Sequence, residues 1–270
     1  RGLMNLPFIK AHCRDYDRFL AKVREHDLMT ASAECGVPAE QIEAAALAYA
    51  QARSAAWLYS TGIESRSADS IREIVNLALL TGNVGREGAG LFALTEQNNL
   101  QGVCDMGMLP DQLPGYRPVT DRAARAALEM LWGAPLPAQP GVDAKTLLAN
   151  RAGGKLRGLW LCRYDPVSTA VFGNAAEALK DLDLIVVQHL FMTGTAQHAH
   201  VVLPTTAYGE EQVTFTNTER RIQLATQAIE PPSGPMPAWQ QITHVASALG
   251  VDWGFTNSTE VMDEIGRAVP

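Results

Sequence analysis

Three short apolar runs give the clearest pattern in the chain: Leu159-Trp160-Leu161, Leu184-Ile185-Val186-Val187 and Val201-Val202-Leu203. Each is continuously apolar rather than alternating, as expected of strands covered on both faces of a parallel sheet. Between them, Ala175 to Leu182 reads as a helix and Thr195 to Ala199 as a short helical turn, content suited to crossover connections. Upstream, apolar residues at helical spacing predict an amphipathic helix over 12–28 and a second over Pro38 to Arg53, with Pro in its first turn. Ala55 to Ser60 is a short buried strand, Thr61-Gly62 turns the chain, and Ala68 to Leu80 forms a helix ending at Gly82. The helix Asp121 to Leu131 precedes a Pro- and Gly-rich break over Gly133 to Gly141. From Tyr208 the character shifts: Val213 to Ala225 alternates as extended chain, Pro231-Pro232 and Gly234-Pro235 mark a linker, and helices follow over Pro237 to Leu249 and Thr259 to Ala268. This order predicts an α/β fold, a doubly wound and mostly parallel sheet with helices on both faces, plus parts of adjoining α/β segments.

The regular pattern lapses over 82–120, which reads as one long loop. A loop of that length in a compact domain is usually functional or disordered. Disorder is the poorer reading, because Leu91, Phe92, Leu94, Leu100, Val103, Met106, Met108 and Leu109 are too apolar for a solvated linker. The segment is expected to pack against something large.

Composition narrows the classes. The chain has 270 residues, 47% of them hydrophobic and 19% charged, as in ordinary globular proteins, and the net charge of -7 without any basic run argues against a nucleic-acid surface. No apolar stretch approaches the ~18 residues that span a bilayer, and the first residues lack the pattern of a signal peptide, so a cytoplasmic protein without direct membrane insertion is expected. An initial Arg in place of Met points to a cut or processed chain. Cys13, Cys35, Cys104 and Cys162 form no CxxC pair, so no zinc or iron–sulfur site follows from local spacing. His198 and His200 could pair as ligands in a strand, but no third ligand is evident and surface histidines are the commoner reading.

In open α/β sheets ligands bind beyond the carboxyl ends of the strands. The residues placed there are Cys162, Arg163, Tyr164 and Asp165 after the first strand, Gln188, His189 and Thr193 after the second, and Pro204, Thr205 and Thr206 after the third. Met192-Thr193-Gly194-Thr195 offers hydroxyls at a helix start, where a phosphate would be favoured. Asp165 can accept paired N–H groups of a purine such as guanine. The plainer alternatives are that Thr193 caps a helix and Asp165 starts a turn before Pro166.

Five segments in order, LALLTGNVGREGAG (77–90), QNNLQGVCDMG (97–107), the following LPGYRPV, VVQHLFMTGTAQHAHVVLP (186–204) and TFTNTERRIQ (214–223), resemble the molybdopterin-binding oxidoreductases. Among these, the resemblance is to the large catalytic subunit of formate dehydrogenases and runs from about Leu3 to about Gly266. It implies an internal piece of a longer subunit that holds molybdopterin guanine dinucleotide with molybdenum or tungsten. The metal ligand and a 4Fe-4S cluster would lie outside these residues, so no metal ligand is assigned here. Partners would be the remainder of the large subunit and electron-transfer subunits. By resemblance, Gln97, Asn98, Asn99 and Gln101 face the pterin with amides that donate and accept at once, although an Asn-Asn pair also suits a tight turn. Cys162, Arg163, Asp165, Gln188 and Thr193 line the dinucleotide, and the segment of Asn217 folds back toward it. Arg220 or Arg221 pairs with diphosphate there, or with Glu219 or Glu230 at the surface. The implied division is 1–94, the C-terminal part of an α/β domain; 95–206, the dinucleotide-binding domain; and 207–270, an adjoining segment.

Three positions depart from the family pattern. Thr95, followed by Glu96, stands where an Arg beside the substrate is usual; Arg163 occupies a Gly position, where its side chain would crowd a backbone-cradled ligand; and Val213 replaces the Gly before TFTN. Thr95 and Arg163 favour a competing reading, a non-catalytic homologue such as the large peripheral subunit of respiratory complex I, whereas the intact QNNLQGVCDMG favours the enzyme. A purine-nucleotide-binding module would need only the sheet of 159–206.

Overall fold

The structure, a computed structural model, describes residues 2–64, 67–149, 156–169 and 172–269. It is a mixed helix and strand fold with parallel sheets, and the chain divides into two compact units, 1–98 and 99–270.

The first unit opens with three short helices, α1 (Leu6–His12), α2 (Tyr16–Val23) and α3 (Leu28–Cys35), where the sequence pattern predicts one helix over 12–28. The breaks are local. Cys13 is extended and Asp15 is left-handed, with φ 54, so the apolar period continues while the backbone does not. New starts are capped: Asn5 accepts from Phe8 N at 3.1 Å, and Asp27 accepts from Thr30 N at 2.8 Å. The helix α4 (Ala39–Gln51) follows the expected course, and Pro38 sits just before it. The strand β1 (Ala56–Ser60) forms as expected, but Leu58 is 64% exposed, so its outer face is not buried. Instead of a simple turn, Thr61-Gly62 begins a single helical turn, α5 (Thr61–Glu64). Helix α6 (Ala68–Thr81) is capped by Ser67 and stops at Gly82, which has φ 69.

The expectation of an unstructured loop over 82–120 is overturned. Gly90–Leu94 forms β2, parallel to β1, with Ala56 opposite Gly90 and Ser60 opposite Leu94. Buried Asn83 fixes the approach, accepting from Ala55 N at 3.2 Å and donating to the Thr81 hydroxyl at 3.0 Å. In the second unit the same segment continues as α7 (Leu100–Asp105) and a small antiparallel pair, β3 (Gln112–Leu113) with β4 (Arg117–Pro118). These elements are short, and α7 contains a Gly, so local propensity gives little warning of them. β2 is made by pairing with distant β1 and α7 is tied to distant Thr216 through Asn99, while β3 and β4 pair with each other.

Helix α8 (Arg122–Trp132), capped by Asp121, packs Ala124 and Leu128 with Leu113, Val119 and Ala268. A further helix, α9 (Ala144–Ala149), precedes the main sheet. That sheet consists of β5 (Gly158–Cys162), β6 (Leu184–His189) and β7 (Val201–Pro204), parallel neighbours in the order β5-β6-β7. Helix α10 (Ala175–Leu179) lies between β5 and β6 and is shorter than the predicted 175–182; a single 3-10 turn, Ala196–His198, lies between β6 and β7. Side chains alternate across β6. Ile185 and Val187 join Leu148, Ala175, Leu179 and Leu182 in one core. Gln188 points to the other face, where it meets α11 (Ala238–Ala248). Helical cover on both faces is what the apolar strands require. The extended 213–225 segment is a hairpin, β8 (Val213–Thr216) with β9 (Ile222–Ala225), and α12 (Ser258–Ala268) follows α11.

Two glycines separate conformational strain from collision. At Gly133, φ 65, an added Cβ meets nothing within 4 Å, so Gly133→Ala should cost the left-handed strain alone, about 1–2 kcal/mol. At Gly107, φ 77, the Cβ would lie 2.7 Å from Pro114 N and 2.8 Å from the Leu113 carbonyl carbon. Gly107→Ala should therefore cost clearly more, and urea unfolding of the two variants side by side checks the order.

Candidate functional site

The carboxyl ends of β5, β6 and β7 assemble most of the polar residues expected there, in two different roles. Gln188 is wholly buried, and its amide is saturated. Nε2 donates to Gln241 Oε1 at 2.7 Å and to Ala238 O at 3.1 Å, while Oε1 accepts from Trp160 Nε1 at 2.9 Å and from the Cys162 thiol at 3.0 Å. Burial pushes the Cys162 thiol up, partly opposed by the Arg163 charge, which keeps it protonated as that donor. The Gln188 side chain thus faces the interior, and the exposed Cys162 reaches it with its thiol.

Asp165 and the 193–196 turn come together. Asp165 Oδ1 accepts from Thr195 N at 3.0 Å, from the Thr195 hydroxyl and, more weakly, from Ser168 N at 3.4 Å. The Ser168 side chain also hydrogen-bonds this carboxylate. Burial raises this acid, but the bonds from Ser168 and Thr195 together outweigh it and hold it at about 2. The Thr193 hydroxyl accepts from Ala196 N at 3.2 Å, a capping bond.

Arg163 keeps a left-handed backbone, φ 51; for a residue with a Cβ that costs about 1–2 kcal/mol. Its side chain is drawn toward the segment after β7. Nη2 donates to Glu211 Oε1 at 2.6 Å, to Thr206 O at 2.8 Å and, at the limit of a bond, to the Thr205 hydroxyl at 3.5 Å. Glu211, absent from the sequence expectation, is only 7% exposed. No local signal marks it. Thr206 is 1% exposed, and its hydroxyl oxygen has no hydrogen-bond partner among the described residues.

The remaining expected residues lie elsewhere. Asn99 uses its amide on β8, accepting from Thr216 N at 2.8 Å and donating to Thr214 O at 3.4 Å. Gly102 permits that approach, since a Cβ there would lie 2.5 Å from Asn99 Oδ1. Gln101 donates to Asp105 at 2.7 Å and to the Tyr116 hydroxyl at 2.9 Å. Gln97 and Asn98 are exposed, and the Thr95 hydroxyl donates to Gln97 O at 2.9 Å. Asn217 closes the β8–β9 turn by accepting from Glu219 N and Arg221 N, at 3.0 and 2.9 Å. Arg220, left-handed at φ 63, is exposed on that turn, and no described ion pair involves it or Arg221. His200 is a backbone partner: its Nδ1 accepts from Ile185 N at 3.0 Å. Among the described residues no group of three or more His, Cys, Asp and Glu side chains is placed to hold a metal ion. No described helix is long and apolar enough to cross a membrane.

A parallel sheet with this polar edge is common to many nucleotide-type binders, and comparison with known proteins narrows it. The family model described as molybdopterin oxidoreductase matches residues 42–248, so the chain belongs to the molybdopterin oxidoreductase family, whose cofactor carries molybdenum or tungsten. Formate dehydrogenase H of Escherichia coli is 35% identical over 273 residues, covering 100% of this chain and 38% of that protein. F420-dependent formate dehydrogenase 2 subunit alpha of Methanococcus maripaludis is 36% identical over 275 residues, covering 100% of this chain and 40% of its own length. The chain therefore spans well under half of these relatives. Acetylene hydratase from Pelobacter acetylenicus shares the fold, with a TM-score of 0.73 over 98% of this chain and 40% of that one at 20% identity.

The depressed acid at Asp165 has a defined pH signature. A folded value below the ordinary 3.8 stabilises the fold above that pH, and the gain is lost as pH falls through about 2. Asp165→Asn should cost about 1–2 kcal/mol at neutral pH, allowing for solvent screening. Urea unfolding of both proteins at descending pH should show that gap narrowing below 3.8 and closing near 2.

Proposed function

We propose that the chain is the central, cofactor-holding portion of the large subunit of a formate-dehydrogenase-like oxidoreductase. The single observation that carries this is the strand-end cluster: a half-open guanidinium, a half-buried carboxylate and a buried hydroxyl without a partner among the described residues, in the chain just beyond β5 and β7. An orphaned buried hydroxyl costs free energy unless a ligand meets it, so these residues fit a polar, phosphate-bearing group. Molybdopterin guanine dinucleotide with molybdenum or tungsten is that group in this reading. When bound, it supplies the redox chemistry; the residues of this chain bind and orient it. The Asp165 carboxylate would hold guanine N–H, Thr193 and Arg163 would face phosphate, and Cys162 and Gln188 would brace the strand ends beneath it. Gln97, Asn98, Asn99 and Gln101 are assigned to the pterin, and Asn217 and Arg220 to the returning hairpin.

The same reading divides the chain into 1–94, 95–206 and 207–270. The pairing of only β1 with β2 in the described first unit supports the first part being the end of a larger α/β domain, because parallel sheets are normally covered on both faces. A 4Fe-4S cluster and the metal-ligating residue belong to other parts of the subunit. Electron-transfer subunits are the partners and the cytoplasm is the compartment. The whole would oxidise formate to carbon dioxide.

The non-catalytic reading retains one specific support, the uncharged Thr95, whose hydroxyl is already committed to Gln97 O. The full-length subunit decides between the two. Bound molybdenum or tungsten near one atom per subunit, with formate-dependent dye reduction, is expected; a metal-free, inactive subunit would favour the non-catalytic homologue. The 270-residue chain alone should neither retain the metal nor oxidise formate.

Thr95→Arg in the full-length subunit should tighten formate binding about 10–150-fold, the value of a charge-assisted bond in a dry site of about 1.5–3 kcal/mol. An unchanged KM for formate would mean that another residue supplies the positive charge.

A further inference from the structure

At the end of β5 the backbone cannot cradle a ligand as an open left-handed turn would, because Arg163 N donates to Gln188 O at 2.7 Å. The side chain is therefore what this position presents to the cleft. All of its described hydrogen bonds leave from Nη2, toward Glu211, Thr206 O and Thr205. Among the described residues Nε and Nη1 have no partner, and the side chain is 36% exposed. A guanidinium fixed by one nitrogen to a nearly buried carboxylate is held in place, with its remaining N–H groups aimed by the rigid plane. The adjoining Thr206 hydroxyl, buried and without a partner among the described residues, lies on the segment this guanidinium grips.

We propose that Arg163 is a phosphate-positioning residue. Glu211 and the Thr206 carbonyl anchor one nitrogen, and the free edge receives a phosphate oxygen of the guanine-nucleotide part of the cofactor. The left-handed backbone at Arg163 is retained because the anchor over-determines it. The inference rests on the cofactor reading given above, and it adds a specific ligand group and a specific residue to that reading.

The test is calorimetric titration of the full-length subunit, prepared without cofactor, with GDP and separately with guanosine. Arg163→Gly relieves the backbone strain but strands a nearly buried carboxylate, so the paired variant Arg163→Gly with Glu211→Gln is the principal one. Wild type should bind GDP, and the paired variant should lose about 10–150-fold in GDP affinity while its guanosine affinity stays unchanged. Arg163→Lys, which keeps the charge but not the fork, should fall between. GDP affinity unaltered in the paired variant would overturn the assignment, as would equal losses for GDP and guanosine, which would mark a role in the fold alone. Wild type binding neither ligand would overturn the cofactor reading and this assignment with it.

Discussion

A buried amide at the end of a central strand is tolerated only when every donor and acceptor is met, and the second unit is organised around meeting that condition for Gln188. Its oxygen takes the indole of Trp160 and the thiol of Cys162 from β5, and its nitrogen reaches α11 through Gln241 and Ala238 O. Gln241 in turn donates to Pro204 O at the end of β7, at 2.6 Å. One network thereby joins the carboxyl ends of all three strands to the helix across them. Removing any member leaves the others unpaired in a region of low dielectric, so the strand ends hold one relative arrangement.

That rigidity matters for the polar edge above it. Asp165, Arg163 and Thr206 belong to the chain immediately beyond those strand ends; Asp165 is held by Thr195 and Ser168, while one edge of the Arg163 guanidinium and the Thr206 hydroxyl have no partner among the described residues. Preorganised groups with open valences recognise a polar ligand without ordering themselves first. Gln188, by contrast, has nothing open. It acts on any ligand only through the positions of its neighbours.

Amides elsewhere follow the same division of labour. Asn83 replaces a missing piece of backbone pairing between the end of α6 and the start of β1, and Asn99 does so along β8. Glycines make these approaches possible where a Cβ would strike the amide: Gly82 beside Asn5, and Gly102 beside Asn99. The segment that reads as a bare loop is thus a set of short elements stitched by side chains to chain that is distant in sequence.

Local chemistry determined the three parallel strands, the helices begun by Ser67, Asp121 and Asn257, the stops at Gly82 and Gly133, and the polar set beyond the strand ends. Apolar period, capping and turn preference act within a few residues, so the amino-acid order contains them. The family was also legible, through motifs spread over most of the chain. Only the tertiary structure decided that β2 and α7 form, that Gln188 turns inward while Asp165 meets Thr195, and that Glu211 grips Arg163. Those outcomes depend on which distant donor meets which acceptor, and residue type states what a side chain can bond to without stating what the folded chain will place beside it.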